Sequence, residues 1–230
     1  MKKIGICFYG YLTDWFDESI DSLMSAIKIN KDVEIDMFFH TWVKNDSEKE
    51  EVTKKIKEKT VKIVKECIVK VEKQKEFSAR EKKEFNAKSK MFSMKSAINL
   101  LCLKEKSKNF KYDYVLLTRH DIAWFKDVNF NDIEHNRMYV PGPKRDSKIN
   151  DLFYIGNSFL LSEFCKVYDK MENNLSCWTE QIDGVAGHQH RIQCKFLKEL
   201  NMFDDLGYYL DRPWGRSQWH GDIRALRLKP

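Results

Sequence analysis

A carboxylate, a guanidinium and an imidazole stand side by side at Arg119-His120-Asp121, directly after the apolar run Tyr114-Val115-Leu116-Leu117. Between them they could hold a cation or clamp a phosphate. An apolar run of that length reads as a buried strand, and ligands of open α/β sheets bind just past the carboxyl ends of such strands. Two further candidate strands end the same way. Lys3 to Phe8 leads into Tyr9-Gly10-Tyr11, and Val33 to Phe39 leads into His40-Thr41-Trp42. If the three strands are parallel, their ends meet on one edge. That edge would carry an aromatic shelf, a backbone at Gly10 free to approach phosphate, and a carboxylate for a cation. These parts suit a nucleotide with a bound divalent metal.

The elements that must position those residues alternate. Asp14 or Asp17 is placed to cap a helix to about Ile29, with Ile20, Leu23, Met24 and Ile27 on one face. A charged helix is expected from about Ser47 to Lys59, then a β-branched strand within 61–71. Residues 74–90 read as a mobile loop or short helix. Met91, Met94, Ala97, Ile98 and Leu101 predict a helix from Lys90 to Lys106. Arg137 to Val140 and the 151–161 stretch, interrupted by Gly156, read as strands. Ser162 is placed to cap a helix to about Met171, and another is expected over 187–200. The alternation implies an α/β fold with a Rossmann-like, mixed but mainly parallel sheet flanked by helices. The 230 residues are read as one domain with a Lys-rich excursion at 44–90 and an ordered carboxyl-terminal loop at 211–230.

Composition narrows the classes. The net charge of +6 resides in 44–90, where 16 Lys and Arg face 10 Asp and Glu; the rest of the chain balances. Phe77 and Phe85 are the only aromatics there, too few for a platform that stacks single-stranded nucleic acid, so no nucleic-acid partner is expected. A solvated surface, or a patch facing anionic membrane, fits better. Six cysteines without a C-x-x-C pair read as reduced thiols of a cytoplasmic protein, peripheral to a membrane at most. The sequence has no G-x-G-x-x-G, no G-x-x-x-x-G-K-[ST] and no G-x-S-x-G, which disfavours dinucleotide oxidoreductases, P-loop enzymes and α/β-hydrolases.

Four pieces together resemble the GT-A class of sugar-nucleotide glycosyltransferases, in particular the small enzymes of bacterial and large-virus polysaccharide assembly. They are IGICFYGYL, IDMFFHTW, MFSMKSAINLL with YDYVLLTRHDIAW, and NDLFYIGNSFLLSEFCKVY, in order from residue 4 to about 171. The resemblance implies transfer of a sugar from a nucleoside-diphosphate donor to a glycan or lipid-linked acceptor. It places Asp121 at the class's D-x-D metal motif, with Arg119 where the first carboxylate would be. It also implies His220 as a second metal ligand, a set that would favour Mn²⁺ over Mg²⁺, and Asp183 or Glu180 as general base. Tyr9, Gly10, Tyr11, His40, Arg119, His120 and Asp121 would face the donor. Asp151, Trp178 and Trp214 would face the acceptor, the tryptophans by stacking on sugar rings. Two other classes stay open: a nucleotidyltransferase acting on a sugar phosphate, and a non-catalytic module that binds polyanions.

Overall fold

The computed structural model describes residues 1–30, 32–79, 82–142, 149–173, 189–209 and 223–225. Its centre is a seven-stranded sheet. β1 (Lys2–Tyr11), β2 (Val33–Val43), β3 (Glu66–Lys73) and β4 (Tyr114–Arg119) are mutually parallel, with β1 between β2 and β4 and β3 outside β2. A short β5 (Ile122–Trp124) leaves this sheet and pairs with a distant strand, Ile223–Ala225. β6 (Tyr139–Val140), β7 (Phe153–Gly156) and β8 (Gly207–Tyr208) extend the sheet beyond β4, with β7 antiparallel to both β4 and β6. The result is an α/β fold with a mixed, mostly parallel sheet; the last strand, Ile223–Ala225, is β9.

Period-two burial on the central strands explains the layers. Ile4, Ile6 and Phe8 face one side with Met37, Phe39, Leu116 and Phe153. They are covered by α1 (Phe16–Ile27) and by Ile56 of α2 (Lys49–Thr60). Cys7, Tyr9, Phe38, Val115 and Leu117 face the other side under α3 (Lys82–Lys108), α4 (Ser158–Cys165), α5 (Val167–Asn173) and α6 (Gln189–Glu199). α3 lies so close to β1 that a Cβ on Gly5 would stand 2.3 Å from Leu101 Cδ1. Glycine at that position is what admits the helix.

Several boundaries differ from the sequence reading. α3 begins at Lys82, so about half of the 74–90 stretch, expected as a mobile loop or short helix, is the start of one long helix. Its first turns bury Glu84, Lys88 and Ser89 with only the small Ala87 as apolar company, so hydropathy marks no apolar stripe there. Neither Asp14 nor Asp17 caps α1; the cap position is Trp15, with no side-chain bond. The helix placed after Ser162 starts earlier, where Asn157 Oδ1 accepts the Leu160 N–H at 2.9 Å. The 44–90 segment contributes α2 and the edge strand β3. Several of its lysines meet acids from elsewhere in the chain: Lys59 with Asp21, Lys65 with Glu34, Lys88 with Glu172 and Lys90 with Asp151. No helix among the described residues is long and apolar enough to cross a membrane. Cysteines 7, 67, 102 and 165 are free thiols.

Candidate active site

Parallel pairing sets Tyr9 opposite both His40 and Arg119, so the carboxyl ends of β2, β1 and β4 form one edge. The sheet changes direction here: β1 connects outward to β2 and β3, while β4 lies on its other flank. Such a switch point opens a crevice. A cleft of about 300 Å³ occupies it, and Tyr9, Gly10, Tyr11, Arg119, His120 and Asp121 all line it. Because β7 runs against its neighbour, its entry, not its exit, reaches the same edge, and Asp151 stands just ahead of it.

The two ends of the cleft differ in chemistry. Above β4, Arg119 grips Asp121 in a two-pronged pair, Nε to Oδ1 at 2.8 Å and Nη2 to Oδ2 at 2.5 Å. Among the described residues Nη1 is left without a hydrogen bond. Beside it, Lys90 of α3 reaches into the cleft and pairs with Asp151. Asp151 is buried and also accepts Gln189 Nε2 at 2.7 Å. Burial alone would raise its carboxyl, but the charges of Lys90, His190 and Arg119 with the Lys90 hydrogen bond hold it well below the carboxylate range. Burial lowers the Lys90 ammonium, with Asp151 opposing. Above β2 the lining is neutral: Trp42 and Phe85, with Gln74, Asn86 and Ser89. Trp42 stacks on Phe92 at 5.4 Å, and Phe77 meets the edges of Trp42 and Phe85.

His120 closes the floor. It is 1% exposed and lies among the rings of Phe8, Phe16 and Phe39, 5.7 to 6.1 Å between centroids. Neither ring nitrogen makes a well-formed hydrogen bond, the His40 backbone being a weak nearby partner. Burial accordingly pushes its pKa down to about 3. Trp42 Nε1 and Thr13 Oγ1, from two other residues of the lining, are likewise buried without a partner.

No family model matches the chain, and no curated protein does.

The structure brings six of the seven expected donor-facing residues together. The seventh, His40, is fully buried behind the cleft and is not part of its lining. The Gly10 N–H, expected to be open to phosphate, is donated to Ser93 Oγ at 2.9 Å. Asp151 sits beneath the cleft and meets it through Lys90. Asp183, Glu180, Trp178, Trp214 and His220 lie outside the described residues. Among the described residues no three His, Cys, Asp or Glu side chains gather as a cation would require, and both Asp121 oxygens are engaged by Arg119. The described donors thus do not by themselves compose a metal centre. Sequence reasoning missed Lys90 and its neighbours Asn86 and Ser89. They stand on the polar first turns of α3, which carry no apolar repeat to mark them.

Proposed function

We propose that this chain is a GT-A-like glycosyltransferase that moves a sugar from a nucleoside-diphosphate donor to a glycan or lipid-linked acceptor. The polarity of the cleft along the sheet edge carries the reading. Aromatic and amide side chains lie over β2, and the cations Arg119 and Lys90 lie toward β4. A nucleoside diphosphate has the same layout, a flat hydrogen-bonding ring at one end and two phosphates at the other.

In this reading Asp121 is the anchor of Arg119. The two-pronged grip fixes the guanidinium plane and leaves Nη1 to face phosphate. As the sugar bond breaks, negative charge grows on the departing diphosphate, and fixed cations in a partly closed cleft stabilise it. Lys90 supplies the second charge, held in place by Asp151. A divalent cation would add charge neutralisation on the same phosphates. It belongs to this proposal only with His220 and with Asp121 releasing an oxygen from Arg119.

A thermal-shift panel of UDP, GDP and dTDP, each with and without Mn²⁺, tests the reading. A ligand at a hundred times its Kd stabilises the folded state by about 2.7 kcal/mol. At least one diphosphate should raise the midpoint, and Arg119→Ala should abolish the rise. No response to any diphosphate refutes the reading. A response that needs Mn²⁺ and disappears in Asp121→Ala assigns the cation to Asp121.

A further inference from the structure

We propose that His40 is a positioning residue of the cleft, acting through Ser93 to hold the left-handed backbone at Gly10. The inference rests on the cleft being the functional site and not on which ligand enters it.

Gly10 has φ 105°, a left-handed backbone that side chains rarely tolerate. A Cβ there would meet nothing within 4 Å, so the glycine serves the backbone angle and not a tight contact. Gly10 lies near the end of β1 between Tyr9 and Tyr11, and all three residues line the cleft. What holds it is a buried relay. The Gly10 N–H is donated to Ser93 Oγ at 2.9 Å; Ser93 Oγ lies 2.7 Å from His40 Nδ1; His40 Nε2 lies 2.7 Å from Glu72 Oε2. Ser93 and His40 are fully buried, and Glu72 opens the chain to solvent at the edge strand β3.

Counting donors gives the relay a direction. Burial would raise the Glu72 carboxyl, but hydrogen bonds from His40 and Lys70 bring it below its ordinary value, so it accepts only. His40 Nε2 must therefore carry a proton. Burial drives the His40 pKa down to about 4 against the pull of Glu72, so the ring is neutral at pH 7 and Nδ1 is an acceptor. Ser93 O–H is given to Nδ1 at 2.7 Å in preference to the more distant His40 carbonyl at 3.3 Å, and its lone pair is turned toward Gly10. The tautomer thus follows from the network. A Ser-His-Glu series also resembles a nucleophile relay. Here the serine is sealed in the middle of α3, outside the cleft lining, and its oxygen already receives the Gly10 N–H. The arrangement fits anchoring and not attack.

The test compares three variants by amide hydrogen exchange followed by NMR, on the full chain without ligand. Ser93→Ala removes the acceptor. His40→Gln places an amide near Nε2 and abandons Ser93. His40→Asn places an amide oxygen near Nδ1 and retains Ser93. Losing one buried hydrogen bond of ordinary strength should raise Gly10 exchange about tenfold in Ser93→Ala and His40→Gln. Exchange at Ile6 and Leu116, in the strand interiors, should stay unchanged. His40→Asn should stay within about twofold of the parent, since its acceptor survives. Equal effects of His40→Gln and His40→Asn, a uniform rise along β1, or no change at Gly10 would each overturn the proposal. Ser93→Ala deletes a single oxygen and keeps the test decisive if a His40 variant fails to fold. The readout needs no nucleotide, so its failure is distinct from failure of the glycosyltransferase reading. If both hold, the diphosphate response weakens in Ser93→Ala and His40→Gln and persists in His40→Asn.

Discussion

Replacing His120 with Phe should make the protein less sensitive to acid. The ring is enclosed by Phe8, Phe16 and Phe39, and its nitrogens lack well-formed hydrogen bonds. In the unfolded chain it takes up a proton near pH 6.5, and in the folded chain at about 3. As pH falls through that window the unfolded state binds the proton first, so stability present above pH 6.5 is lost progressively down to about 3. Each pH unit within the window costs about 1.4 kcal/mol for such a group. Between pH 6 and 5, above most carboxylate titration, the loss from His120 comes to about 1.2 kcal/mol once partial protonation is included. His120→Phe removes that share and leaves the share of His40. At pH 7 the variant should match the parent or exceed it by up to about 2 kcal/mol, because poorly paired polar atoms leave the core. Urea unfolding at pH 7, 6 and 5 measures both quantities. An unchanged loss between pH 6 and 5, or a variant more than about 1 kcal/mol less stable at pH 7, would refute the assignment of His120 as a neutral ring without strong partners. Diphosphate binding should weaken in the same variant if the ring nitrogens serve the ligand.

Two further outcomes follow from the packing. Lys90→Met leaves Asp151 charged in a buried place, and should cost about 3 to 5 kcal/mol in chemical unfolding, with partial recovery in the Lys90→Met/Asp151→Asn double variant. Gly5→Ala pushes a methyl against Leu101 and Tyr112, and should lower stability by about 1 to 3 kcal/mol while leaving diphosphate binding unchanged.

The sequence shows the sheet more readily than the cleft. Runs such as Ile4–Phe8, Met37–Phe39 and Tyr114–Leu117 are apolar because helices cover both faces, and such runs are visible without a structure. Their last residues are polar because they leave the core for the cleft, which is why Tyr9–Tyr11 and Arg119–Asp121 could be proposed from position alone. His40 shares that position in the sequence but turns inward toward Ser93, a choice set by α3 and invisible in β2. Lys90 was hidden for the opposite reason. Its partner Asp151 is 61 residues away, and nothing local records an ion pair of that span. The Arg119–Asp121 pair, two residues apart, was within reach of the sequence, yet chemistry alone did not say whether the carboxylate would face a cation or its own neighbour.

The reversal of β7 has a consequence for how the cleft comes into being. Its walls are gathered from residues 9–13, 42, 74, 85–90, 119–121 and 189, with Asp151 beneath them. No two adjacent elements of the chain contain enough of these to make a partial version. Contacts of such large sequence separation form late and together. The cleft is then a product of the completed sheet, and occupancy by a ligand counts whole folded molecules. An excised hairpin or helix would carry the residues without the cleft.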